Sequence, residues 1–140
     1  LWVVFAVTAA LEYSQVEAVF QGCVKEKNID KQTECSLVKF KFDANLPRVR
    51  EYMSCVLMRL EYYWKDKFNE SWLLTELKRK TGFSKDAALS RVLQKCKLDK
   101  GSKIDAYEYF MCLLKDNDTQ GPFKQLMLSK DEKFFKKSGC

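Results

Sequence analysis

Residues 84–114 read SKDAALSRVLQKCKLDKGSKIDAYEYFMCLL, two apolar series of helical period that flank a glycine and carry one cysteine each. Ala88, Leu89, Val92, Leu93 and Cys96 recur at alternating steps of one and three, which puts them on one face of a helix with Ser84 as its candidate cap. Beyond a loop from Leu98 to Ser102 that contains Gly101, the residues Ile104, Tyr107, Phe110, Met111 and Leu114 recur in the same way. Fifteen residues separate Cys96 from Cys112, enough for a helix end, a turn and the facing helix. A disulfide between them can therefore staple an antiparallel helix hairpin. The expectation is an all-α fold.

The flanking sequence extends this pattern. From Pro47, expected as a first helical residue, Val49, Tyr52, Met53, Val56, Leu57 and Leu60 line one buried face, with Cys55 beside it. After a polar loop at Lys65 to Asn69, Ser71 is the candidate cap of a helix carrying Leu73, Leu74 and Leu77 and ended by Thr81-Gly82. Shorter helices are predicted at roughly 12 to 27, 32 to 42 and 122 to 137. Two prolines and five glycines give few breakers, and 14% aromatic residues supply a large apolar load.

Six cysteines on a chain without histidine bound the function classes. An even cysteine count argues for three disulfides in an oxidising compartment, and six cysteines allow fifteen pairings. With no imidazole base, no carboxylate spacing that marks an acid–base pair, no C-x-x-C metal pair and no cofactor motif, the reading is a binding protein and not an enzyme. The opening LWVVFAVTAA resembles the tail of a secretory signal peptide cut after about Ala10, too short to span a bilayer. Residues 11–140 then form one domain that buries roughly two thirds of its unfolded surface. Asn69-Glu70-Ser71 and Asn117-Asp118-Thr119 are acceptor sequons for N-glycosylation in a secreted chain.

Taken in order, Cys23-x11-Cys35, Glu51-Tyr52-Met53-Ser54-Cys55-Val56-Leu57, Val92-Leu93-Gln94-Lys95-Cys96, Tyr107-Glu108-Tyr109-Phe110-Met111-Cys112-Leu113 and Phe123-Lys124 resemble the D7 salivary proteins of blood-feeding flies. The resemblance is to the short, single-domain form and covers about Val16 to Cys140. D7 proteins are distant relatives of insect odorant-binding proteins, in which the second and third cysteines usually lie three apart. Here nineteen residues lie between Cys35 and Cys55. The resemblance implies about eight helices around a ligand pocket, with disulfides Cys23 to Cys55, Cys35 to Cys140 and Cys96 to Cys112. It also implies secretion into saliva and scavenging of small host mediators, either amines or lipids such as eicosanoids, in the service of blood feeding.

Carried over position by position, the resemblance places Val38 where amine-binding short forms have arginine, Tyr52 where they have histidine and Phe110 where they have tyrosine. Their acidic pair becomes Leu128 and Asp131, with Glu132 a stand-in. A buried ammonium needs a carboxylate partner, so these replacements favour a lipid or other apolar ligand over an amine, leaving Asp131 as the ammonium partner if an amine binds. Val38, Phe110 and Leu128 are equally consistent with plain core positions in a domain whose cavity has closed. A buried Tyr52 hydroxyl would need a partner in either case.

The net charge of +6 has local excesses at Lys39, Lys41, Arg48 and Arg50 and at Lys130, Lys133, Lys136 and Lys137. Interleaved acids make a solvated surface the plainer reading, with no nucleic-acid partner and no stable membrane insertion. Three classes stay open: a scavenger of small mediators acting as a monomer, a surface-acting inhibitor of a clotting or kinin-pathway protein working through the basic patches, and a general odorant or pheromone carrier.

Overall fold

The computed structural model describes residues 18–140, so the signal-like stretch 1–10 and the start of the helix expected from residue 12 lie outside the described residues. Among the described residues there are eight α-helices and one short hairpin. They are α1 (Val19–Glu26), α2 (Lys31–Val38), α3 (Val49–Arg59), strands β1 (Tyr63–Trp64) and β2 (Lys67–Phe68), α4 (Glu70–Thr81), α5 (Asp86–Lys100), α6 (Ala106–Lys115), α7 (Gln120–Lys130) and α8 (Glu132–Phe135). A single turn of 3-10 helix, Gly101–Lys103, joins α5 to α6.

The central element is α6, because Ala106, Tyr107, Tyr109, Phe110 and Leu113 are all buried and leave little polar face. A helix that is apolar on most sides is stable only when others surround it, and α6 packs against α3, α5 and α7. Around that centre α1 lies on α3, α4 on α7, and α2 on α8. Disulfides tie three of these seams. Cys23–Cys55 joins α1 to α3, Cys96–Cys112 joins α5 to α6, and Cys35–Cys140 joins α2 to the tail after α8, with Cα–Cα distances of 5.9, 6.0 and 5.3 Å.

Several element ends differ from the expectation, each for a local reason. Pro47 lies in a turn, and α3 starts after Arg48, whose φ of 60° is not helical. The cap of α4 is Asn69, whose side chain accepts from Trp72 N, and not Ser71. Ser84 stands one residue before the N-cap Lys85 of α5, which has no side-chain cap. The loop expected at Leu98 to Ser102 begins only after α5 has run through Lys100. The helix expected at 32–42 stops at Val38, where Phe40 at φ 60° turns the chain. The helix expected at 122–137 is two helices, divided at Asp131, which leaves helical geometry (φ −156°, ψ 71°) and caps α8 with its own side chain. The polar loop at Lys65 to Asn69 contains the hairpin turn: Lys65 and Asp66 both take positive φ, as a two-residue loop of this hand requires, and pair Tyr63 with Phe68.

Candidate functional site

Eight aromatic rings form one connected run through the protein, contributed by α1, α3, α6, α7, α8 and the segment after α2. Phe20 of α1 touches Tyr52 (6.4 Å between ring centres), Phe134 (5.9 Å) and Phe135 (4.7 Å). Phe135 meets Phe40 at 5.5 Å, Phe40 meets Phe42 at 4.9 Å, Phe42 meets Phe110 at 4.8 Å, and Phe110 meets Phe123 at 5.3 Å. Most of these are edge-on or tilted contacts, the favourable geometries for aromatic quadrupoles. Six of the rings are buried, and only Phe40 and Phe135 are partly buried. Val38 belongs to the same buried cluster.

Val38, Tyr52 and Phe110 are thus brought into one apolar cluster, while Asp131 and Glu132 line a cleft at the α7–α8 corner and Leu128 stands apart from both. Leu128 is half-buried on α7, apart from the aromatic run, and Glu132 is exposed, 3.8 Å from Lys136. Asp131 is buried but occupied: one carboxylate oxygen accepts from Gln21 N at 3.0 Å and the other from Phe134 N. The Tyr52 hydroxyl finds its partner in the chain, donating to the Phe20 carbonyl oxygen at 3.0 Å. Burial pushes the Tyr52 pKa well above the phenol range, and the charges of Asp131 and Glu34 push it the same way. Tyr52 therefore stays neutral.

Glu34, on α2, is the residue the sequence reading missed. It is buried and accepts from Lys137 Nζ at 2.9 Å and Gln21 Nε2 at 3.3 Å. Burial favours its neutral form, yet these hydrogen bonds outweigh it and hold the carboxyl below its usual range. Its signal in the sequence is slight, an acid next to Cys35 in a helix with few apolar residues. A cleft of about 480 Å³ opens beside these groups, lined by Gln21, Ser129, Lys130, Asp131, Lys133, Phe134 and Lys137 among others. Among the described residues no buried side-chain nitrogen or oxygen lacks a hydrogen-bond partner.

The corner that carries Asp131 is fixed by a second buried group. Glu76 of α4 accepts from the Tyr62 hydroxyl at 2.5 Å and from Lys130 Nζ at 2.8 Å on one oxygen, and from Arg79 at 2.9 Å on the other. The basic stretches are also largely engaged. Arg50 pairs with Asp105 and Glu108 and lies over the Tyr107 ring, Arg48 donates to the Lys27 carbonyl oxygen, and Lys136 and Lys137 pair with Glu132 and Glu34. The two sequon asparagines are exposed; the Asn69 oxygen serves as the cap of α4.

Helices around an aromatic interior, with three disulfides, agree with a match to the PBP/GOBP family over residues 10–116. The chain belongs to that family, the insect odorant-binding fold. It is 30% identical over 125 residues to the short form salivary protein D7S1 of Aedes aegypti, covering 86% of this chain and 83% of that one. A second Aedes aegypti relative, named neutrophil recruitment protein, is 23% identical over 150 residues, 100% of this chain and 94% of the other. The first match sets this PBP/GOBP chain among the D7 salivary proteins. The similarity supports a salivary ligand-binding protein of a family that binds and does not catalyse. No helix among the described residues is long and apolar enough to cross a membrane.

Proposed function

We infer that this PBP/GOBP protein acts as a secreted monomeric scavenger of a largely apolar host mediator, of lipid or eicosanoid chemistry. The observation that carries the reading is the full partnering of its buried polar groups around an aromatic run. A ligand ammonium would have to displace a hydrogen bond already made to Asp131 or Glu34, whereas an acyl or other apolar group meets only rings. Capture of this kind needs affinity and no turnover.

Calorimetric titration of the oxidised protein against serotonin, histamine, norepinephrine, a leukotriene and a thromboxane analogue tests it. Heat from the lipid mediators, with none from the amines, is the expected result. The reverse pattern would overturn the reading. A second reading, amine capture, draws on one observation: Asp131 lines the cleft, and Lys137 and Gln21, which line it too, both hold the buried Glu34 carboxylate. Under that reading the ammonium replaces Lys137 on Glu34.

A further inference from the structure

We propose that Phe40 and Phe135 form the entrance to the aromatic interior, and that Phe40 is the ring that moves when a ligand passes. This rests on the reading of that interior as the ligand site. Three independent features of the molecule meet at these two residues.

The first is exposure. Of the eight rings, these two alone are not fully buried, and they touch each other. Behind Phe40 lie Phe42 and Phe110, and behind Phe135 lie Phe20 and Phe134. An apolar molecule reaching the buried rings between them has to part the pair.

The second is backbone conformation. Phe40 closes α2 in the manner of a Schellman motif: its N–H donates to the Leu37 carbonyl oxygen, and Lys41 N–H donates to the Ser36 carbonyl oxygen, both at 2.9 Å. The residue at this position takes left-handed geometry, here φ 60°, and is ordinarily glycine because a Cβ is disfavoured there. A bulky aromatic side chain is an uncommon occupant of this conformation. Strain of this sort persists only where the surrounding structure fixes it, and it clusters at ligand clamps and switch regions. Lys124, whose ammonium lies 5.1 Å from the ring centre, holds its face by a cation–π contact that water can replace.

The third is the covalent frame. Cys35 lies five residues before Phe40, and Cys140 five residues after Phe135, and the two are bonded to each other. The arms that carry the two rings are thus tied at one end, so that they part by swinging a side chain and not by separating α2 from α8.

The test is stopped-flow binding of cis-parinaric acid, a fluorescent apolar probe, to the wild-type protein and to Phe40→Gly, Phe40→Ala, Phe40→Leu and Phe135→Ala. Removing either ring should raise the association rate constant at least about tenfold, while Phe40→Leu should stay near wild type. Phe40→Gly, which also relieves the left-handed backbone, should melt no lower than Phe40→Ala. If the wild type binds and the Phe40→Gly and Phe135→Ala rates are unchanged, the entrance is misplaced and the apolar-ligand reading stands. If the wild type does not bind but Phe40→Gly does, the entrance assignment is supported in a stronger form. If neither binds, both fail.

Discussion

Replacing Lys130 by Met isolates the buried charge that holds the α7–α8 corner in place. Glu76 exposes 4% of its side chain and shares one oxygen between Lys130 and Tyr62. Breaking a buried ion pair by removing one partner typically costs about 3–5 kcal/mol. Two features lower that figure here. The Tyr62 hydroxyl and Arg79 stay on the carboxylate, although Arg79 is 60% exposed and screened by water, and Met fills most of the volume of the lysine stem. The expected loss at neutral pH is about 2–3 kcal/mol, or roughly 6–12 °C in Tm for a domain of this size.

The same pair makes a distinctive pH dependence. Burial raises the Glu76 pKa, but Lys130, Tyr62 and Arg79 together outweigh it and hold the group below its ordinary 4.5. A carboxyl depressed in this way lends stability above its unfolded pKa and loses it as the pH falls through the folded value. In Lys130→Met the carboxyl keeps its burial and loses its strongest partner, so its folded pKa rises. Wild type and variant should therefore differ fully at pH 7 and converge only as the pH falls through the lowered folded value of Glu76 in the wild type, below 4.5. Thermal unfolding followed by circular dichroism between pH 7 and 2.5 measures this directly. A difference that does not narrow at all as the pH falls from 4.5 to 2.5 would mean that Lys130 acts through packing and that the electrostatic account is wrong.

Thiol titration under denaturing, non-reducing conditions should find no free cysteine in residues 18–140, and peptide mapping should find Cys140 joined to Cys35; any other partner for Cys140 breaks the pairing. Asp131→Asn keeps a side chain able to cap α8 and should cost about 1 kcal/mol of stability, with lipid affinity unchanged. A tenfold or greater loss of affinity for an amine in that variant would instead identify Asp131 as an ammonium partner, since a desolvated charge pair broken on one side costs about 2–5 kcal/mol. Tyr52→Phe removes the hydrogen bond to the Phe20 carbonyl oxygen and should lower stability by about 1 kcal/mol, read by urea unfolding, while parinaric acid affinity holds or rises. Lost affinity at unchanged stability would place the Tyr52 hydroxyl on the ligand.

The helix hairpin of α5 and α6 was legible because its apolar residues keep helical period on both sides of one glycine, and period survives any choice of tertiary partner. The end of α2 was not. Val38, Phe40 and Phe42 all read as apolar continuation, and nothing in a phenylalanine announces that it will occupy a glycine's backbone conformation. The hairpin at Tyr63 to Phe68 was hidden for the related reason that Lys65-Asp66 stands where Asn-Gly or Asp-Gly would have signalled it. Ser71 and Ser84 were sound caps by residue type, and Asn69 prevailed over the first because the helix begins at Glu70, two residues earlier than a cap at Ser71 would give. Tyr52 was legible in need, though not in partner.

Asp131 shows why residue identity at a binding position leaves function open. A carboxylate there is what an ammonium requires, and a helix N-terminus requires it equally, as does an unpaired backbone N–H in the next layer. Here α8 and Gln21 both take it, so the charge that would bind a ligand is already used to hold the chain. Glu34 is in the same position, held by Lys137 and Gln21. An amine can be captured only at the expense of these bonds, each of which water does not replace once the site has closed. An apolar ligand faces a different cost, that of parting Phe40 from Phe135, and recovers it by burying its own surface against rings that were already dry. The two costs differ in their dependence on pH, because the first involves the Glu34 carboxyl, held ionised below its usual range, and the second involves no titrating group. Lipid affinity that stays level across pH 5 to 8 is therefore the behaviour this interior requires.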